Sequence, residues 1–175
     1  MGDSTITIIA IFLAAILMFL VPLVSITERG DDISQTVVQS AITSFVSEAS
    51  SNGYISRESY DELCAELGAT GNTYDIVIEV QKIDENIGKK ATITSGDLIG
   101  ENAEYSVFTN VILEGIDSET HDYRYLLNKG DKIVITVNNT NITLAQLFRN
   151  FMYKFTGNEN AIGASASALV TRTGT

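Results

Sequence analysis

An apolar run near the start of the chain constrains its folding more than any other feature. The 21 residues from Ile6 to Ile26 contain no charged side chain. As an α-helix they would extend about 32 Å, which matches the roughly 30 Å hydrocarbon core of a bilayer. One segment cannot close a barrel, so a helix is the structure that satisfies its backbone in lipid. The sequence therefore predicts a transmembrane anchor helix within residues 1–30, with membrane lipid as its partner.

Two other interpretations of this run remain open at the sequence level. A cleaved secretory signal has a basic n-region, a shorter apolar run and a small-residue cleavage site. This chain instead begins Met-Gly-Asp-Ser-Thr, and Ile26-Thr27-Glu28 offers no clean cleavage site. The core helix of a soluble protein would be shorter and apolar on one face only. The pattern favours a single-pass anchor over both alternatives.

Small residues in the run indicate a surface for helix packing. Ala10-x-x-x-Ala14, with Ala15 beside it, has the spacing that lets two helices approach closely in lipid. Alanine is common in membrane spans, so chance gives the same pattern. We predict that anchoring and helix packing involve Ile6, Ala10, Ala14, Ala15 and Leu20.

Residues 31–53 have the pattern of an amphipathic stalk. Apolar residues recur at helical spacing from Ile33 to Ala49, and polar residues fill the other face. Gly30 is the only residue between the two segments that weakens a helix, so we expect a nearly continuous helix from about Ser4 to about Ser50. Ser50-Ser51-Asn52-Gly53 supplies C-cap chemistry for its end. The predicted stalk-packing residues are Ile33, Val37, Ile42 and Phe45.

Residues 54–175 are expected to form a small α+β head domain, which makes the fold class α+β. The expected elements are a short helix capped by Ser56, a strand Tyr74–Ile83, a helix Glu104–Ile116, a hairpin of Tyr123–Leu127 with Lys132–Val137, a helix Leu144–Phe155 capped by Thr143 or Asn141, and a strand Ala161–Arg172, with a further small strand at Ala91–Thr94. From Tyr74 onwards the main elements follow the βαββαβ order of ferredoxin-like domains. Other small α+β domains on a stalk would give a similar order.

Composition argues against several classes of function. The chain has a net charge of −11, which disfavours binding to nucleic acid phosphates. Its single cysteine excludes an internal disulfide framework, and its single histidine removes most metal-ligand and general-base schemes. Cys64 is expected in the core and His121 in a solvated loop. We therefore expect no enzyme activity, no cofactor, no metal and no small-molecule substrate.

Charge is distributed unevenly along the chain. Residues 31–122 contain 18 acidic and 4 basic side chains, whereas residues 123–175 contain 2 acidic and 6 basic ones. This asymmetry would either dock one copy against another or close the domain on itself.

An N-terminal apolar helix without a basic leader, an amphipathic stalk and a small α+β head together resemble the type IV pilin superfamily. The similarity lies mainly in residues 1–50, and the tight-adherence-type pseudopilins of Gram-positive bacteria are the nearest branch. The stretch Val137–Asn158 is similar to membrane proteins of anaerobic Gram-positive bacteria that have no assigned activity. Members of the superfamily are typically cleaved after a Gly, which makes Gly2 the candidate processing site. Where they often carry a Glu, this chain has Thr7.

The resemblance implies a structural subunit of a pilus-like or secretion-related assembly, with self-association or other envelope and pilus proteins as partners. It also implies a head outside the cytoplasm, on a single-pass protein of the cell membrane or in an extracellular filament. Arg29 alone, by the positive-inside rule, would favour the opposite orientation. The alternative is a monomeric, membrane-tethered, protein-binding module of the cell envelope.

Overall fold

The computed structural model describes residues 2–83, 104–119, 122–152 and 162–174, and it has an α+β fold. A long N-terminal helix is followed by a small head built on an antiparallel sheet. The elements are α1 (Gly2–Asn52), β1 (Tyr54–Ser56), α2 (Arg57–Ala69), β2 (Tyr74–Ile83), β3 (Glu104–Phe108), α3 (Thr109–Ile116), β4 (Arg124–Leu126), β5 (Lys132–Asn139), α4 (Leu144–Met152) and β6 (Gly163–Leu169).

Helix α1 runs for 51 residues and passes through both Pro22 and Gly30. Gly53, the residue after its last one, terminates the helix. Its φ of 78° is left-handed, and its N–H donates to the Ala49 carbonyl at 2.9 Å. A Cβ at Gly53 would lie 2.3 Å from the Arg172 carbonyl oxygen, so both its backbone angle and its surroundings require glycine. The predicted continuous helix, ended by the Ser50–Gly53 segment, is confirmed.

The head is organised by a four-stranded sheet in the order β3-β2-β5-β6, with every neighbouring pair antiparallel. Alternation along β2 and β5 places one side chain in two on the face that is covered by helices. Ile78 stands opposite Ile135, and Val80 opposite Ile133, and all four side chains are fully buried. These cross-strand pairs form the sheet side of the core.

The second half of α1 forms the helical side of that core. Two contacts fix its direction along β6. The Gln35 side chain bonds to the backbone of Gly163, and the Ser50 hydroxyl donates to the Leu169 carbonyl at 2.6 Å. Helix and strand therefore run parallel. The residues of α1 buried in this layer are Val38, Ala41, Ile42, Phe45, Val46 and Ala49.

The remaining elements close the end of the head at which α1 terminates. Strand β1 pairs with β4, and α2 packs against α1 through the buried Leu63 and Leu67. The predicted cap of α2 is confirmed: Ser56 and Ser59 form a reciprocal capping box.

Two sequence predictions for the head are wrong, and the ferredoxin-like order is not confirmed. Glu104–Phe108 is a strand, so only the second part of the predicted helix is helical, because β-branched and aromatic residues there complete an edge of the sheet. The predicted hairpin does not form, since β4 pairs with β1 in a separate sheet. The chain turns between β4 and β5 at a loop held by the buried Asp131, whose carboxylate accepts from the Asn128 N–H at 2.9 Å.

The predicted closing strand is confirmed as β6, and Leu144–Met152 confirms the described part of the last predicted helix. The predicted strand Ala91–Thr94, the end of the last helix at Phe155 and His121 lie outside the described residues.

Substituting Ile42 by alanine tests whether the stalk segment is part of the head's core. Ile42 is fully buried, so Ile42→Ala should lower the free energy of unfolding by about 2–5 kcal/mol. The matched control is Ile33→Ala, which makes the same substitution on the same helix at a position that is 65% exposed. It should change the free energy of unfolding by less than about 0.5 kcal/mol. Urea unfolding of the full chain in detergent, followed by the near-ultraviolet circular dichroism of its tyrosines, measures both. Equal effects would contradict the packing of α1.

Candidate membrane anchor and its junction with the head

The first half of α1 is a long apolar helix that could cross a membrane. Its most apolar 18-residue window has a mean hydropathy of 2.9, and none of that window is buried within the protein. Signal sequences and core helices of soluble proteins reach similar length and hydropathy. A core helix is largely buried, however, whereas Phe19 here is 77% exposed. The exposure therefore argues for an environment that the described head does not supply.

The predicted anchor residues lie on this exposed part of α1. Ile6, Ala10, Ala14 and Ala15 are exposed, and Leu20 is half-buried. At about 100° per residue, Ile6, Ala10 and Ala14 share one face, whereas Ala15 lies about 100° round the helix from Ala14. Gly2 is the first described residue of α1.

The face of α1 that is buried in the head, called here its contact face, stays partly buried below the level of the sheet. Leu20, Val24, Thr27 and Asp31 are half-buried and follow one another at intervals of four, three and four residues. With about 3.6 residues per turn, they lie on the same face as Val38 and the core residues after it. The contact face therefore extends into the apolar half of the helix.

Two of the four predicted stalk residues are in the core. Ile42 and Phe45 are buried, whereas Ile33 is 65% and Val37 38% exposed. Measured round the helix, Ile33 lies nearly opposite the centre of the buried face and Val37 lies on its flank. Amphipathic spacing included them in the stripe because its edges are wide, but the sheet covers only the central part.

Two polar contacts join the head to α1 at the end of the sheet. The Gln35 amide donates to the Gly163 carbonyl at 2.6 Å and accepts from the Gly163 N–H at 3.1 Å. Four residues earlier, the Asp31 carboxylate accepts from the Thr143 hydroxyl at 2.8 Å. Thr143 is 6% exposed, so this contact is shielded from water. Together they fix the starts of β6 and α4 beside the beginning of the stalk.

Thr143 also begins α4. Its hydroxyl accepts from the Gln146 N–H at 3.2 Å, and the Gln146 side chain accepts from the Thr143 N–H at 3.1 Å, which makes a capping box. The prediction that Thr143 or Asn141 caps this helix is thus resolved in favour of Thr143. Asn141 instead accepts from the Thr73 N–H at 2.8 Å, which holds the loop before α4 to the start of β2.

Sequence reasoning did not find the two α1 partners in this junction. By spacing, Gln35 is one of the polar residues between the apolar positions of the stalk, and Asp31 is one of two adjacent acidic residues at its start. Their partners are 128 and 112 residues away in the sequence, so no local spacing could have indicated them. The capping preference of Thr143 was the only local signal.

The sequence candidates for chemistry are not brought into one site by the described residues. Cys64 is half-buried instead of fully buried, and it contacts Tyr60. Burial first, and the neighbouring Cys64 second, raise the pKa of the Tyr60 phenol above its usual value. His121 lies outside the described residues, and the lack of enzyme activity stays a prediction.

Comparison with family models, curated proteins and solved structures finds no match for this chain.

Removing the Thr143 hydroxyl should loosen α4 without unfolding the head. Thr143→Val loses both the cap and the bond to Asp31, and the loss of a cap costs about 0.5–2 kcal/mol. Hydrogen exchange of the α4 backbone amides should accelerate roughly 2- to 30-fold in mass-spectrometric measurements. Thr36→Val is the matched control, because the Thr36 hydroxyl is exposed and bonds only to Asp32 within α1. Equal exchange of α4 in both variants would show that this junction does not hold it.

Proposed function

We propose that this protein is a non-enzymatic, single-pass membrane-anchored structural subunit of a pilus-like or secretion-related assembly. The observation that carries the proposal is that the two halves of α1 have different surroundings. One unbroken helix is apolar and exposed over its first half and forms the core of the head over its second half.

The exposed half of α1 requires an apolar environment, because leaving its side chains in water is unfavourable. Burying a large aliphatic or aromatic side chain stabilises by about 1.5–3 kcal/mol relative to leaving it in water. Side chains of this kind point outwards on all sides of the helix, including Phe12, Leu13, Met18 and Val21. Lipid covers such a helix all round, and so does a bundle of identical helices in an assembly. Both covers fit the proposed subunit, first in the membrane and then in the assembled state.

Close packing between copies would use the small residues of the exposed half. Ala10 and Ala14 are exposed and lie on one face with Ile6. Small side chains at this spacing let two backbones approach closely, which gains dispersion contacts in lipid. Self-association through this face is therefore part of the proposal.

The proposal places the protein in the cell membrane with the head outside the cytoplasm, and it retains Gly2 as the candidate processing site. The head has the polar, acidic composition of a domain that lies in water outside the bilayer. The resemblance to the type IV pilin superfamily supports this placement through the shared arrangement of apolar helix, stalk and α+β head.

A second candidate function is a monomeric, membrane-tethered module that binds another envelope protein. One observation favours it: an open groove of about 410 Å³ at the end of the head where α1 terminates. Its apolar lining comes from Val111, Gly115, Tyr125 and Leu126, and Glu114 and Arg124 contribute charges of opposite sign. A groove of this kind could accept a side chain of a partner without any assembly of the anchor helices.

Disulfide trapping of the anchor tests the proposed self-association. Cys64 is the only cysteine, so a Cys64→Ser chain with Ile6→Cys reports contacts between copies at one position. Adding Ala10→Leu with Ala14→Leu should lower the yield of oxidised dimer several-fold in membranes, because the larger side chains separate the two helices. Ala15→Leu makes one such change about 100° from Ala14, and an unchanged yield there would restrict the predicted packing surface to Ala10 and Ala14.

Equal dimer yields in all three chains would contradict packing through Ala10 and Ala14. Shearing cells that produce the full chain then distinguishes the two candidate functions. A filament subunit is released with the sheared extracellular material, whereas a monomeric tether stays with the membrane.

A further inference from the structure

The large apolar side chains that the structure describes in α4, and Ile142 just before it, lie on the outside of the protein. Ile142, Leu144 and Leu147 are 70%, 64% and 56% exposed, whereas the small Ala145 is 1% exposed. A surface helix of a water-soluble domain normally has the reverse arrangement, with its large apolar residues facing the core. The capping box and the bond to Asp31 hold α4 in this orientation.

The position of α4 along α1 indicates what covers these side chains. Asp31, which bonds to Thr143 at the start of α4, follows Ile26 by five residues, or about 7.5 Å of helix. Helix α4 packs against α1, and the contact face of α1 continues down to Leu20, about 9 Å below Ile26. The exposed side chains of α4 therefore lie at the level where the apolar run would leave the bilayer.

Charge along this segment fits the same location. From Thr140 to Met152 the sequence contains no Asp or Glu, in a chain that has 22 of them. Anionic headgroups would repel an acidic segment and do not repel this one. Amphipathic helices that lie in a membrane interface bury their apolar face about 5–10 Å into the boundary between headgroups and acyl chains.

We propose that α4 is an interfacial helix: its exposed Leu144 and Leu147, with Ile142 in the turn just before it, dock into the headgroup region of the same bilayer that holds α1. The inference rests on the proposed membrane anchor. Its consequence is a second attachment, because a head fixed to the lipid surface by α4 cannot rotate freely about α1. The bound lipid surface then fixes the orientation in which the head meets its neighbours.

Tryptophan fluorescence can test this directly, because the chain has no Trp of its own. Single tryptophans are introduced at Leu147, at Phe19 in the apolar half of α1, and at Leu169, giving Leu147→Trp, Phe19→Trp and Leu169→Trp. All three positions are exposed in the structure, so none of the substitutions disturbs the core. The Leu169 carbonyl bonds to Ser50, which lies 19 residues and about 28 Å beyond Asp31 along α1, so Leu169 is the control far from lipid.

Each full-length variant is reconstituted into vesicles of phosphatidylcholine and phosphatidylglycerol, with and without brominated acyl chains. The expected result is quenching and a blue shift for Phe19→Trp and Leu147→Trp, and neither for Leu169→Trp. Ile142→Trp, at the most exposed of the three docking positions, should behave as Leu147→Trp does.

Three outcomes would overturn the inference, and they differ from one another. Quenching of Phe19→Trp without quenching or a blue shift of Leu147→Trp leaves the anchor intact and shows that α4 faces water. A blue shift of Leu147→Trp that brominated lipid does not quench, and that disappears when the protein is diluted into excess lipid, shows that a second copy covers α4. No quenching of Phe19→Trp shows that the anchor itself is outside lipid, which removes the proposed function as well.

Discussion

The arrangement of this protein depends on one constraint: a single continuous helix has to satisfy two different surroundings along its length. The residues after Asp31 meet a β-sheet on one face and water on the others, so they are amphipathic. The residues from Ile6 to Ile26 are uncharged on every side, and all but Leu20 and Val24 are exposed. A helix covered with apolar side chains all round is stable only where something other than water surrounds it. The head can supply that cover along one face at most.

Rigid coupling between the two halves follows from where the head is attached. The sheet packs on α1 from Val38 onwards, and the polar contacts of Gln35 and Asp31 extend the attachment to the start of the stalk. These contacts are made by side chains and backbone groups that are partly shielded from water, where hydrogen bonds are costly to leave unmade. The head is therefore fixed close to the end of the apolar run, and the stalk segment is an integral part of the head's core.

Sequence periodicity predicted the elements that are defined by local pattern. The long helix, its end at Gly53, the Ser56 cap, strand β2 and strand β6 were all indicated by spacing, capping or alternation within a few residues. The pairing of β4 with β1 was not predicted, since pairing depends on contacts between segments about 70 residues apart. The same limit applies to the junction, because Gln35 and Asp31 look like ordinary polar residues until Gly163 and Thr143 are placed beside them. Helix α4 was predicted from its apolar stripe, but only the structure shows that Leu144 and Leu147 face outwards.

Extraction of native membranes with alkaline carbonate tests the central claim most directly, provided that the intact mass of the chain is measured in each fraction. The account predicts that a chain still containing Ile6–Ile26 stays in the membrane pellet, because lipid covers the apolar half of α1. Recovery of that same chain, apolar run included, as a dissolved monomer in the supernatant would contradict it.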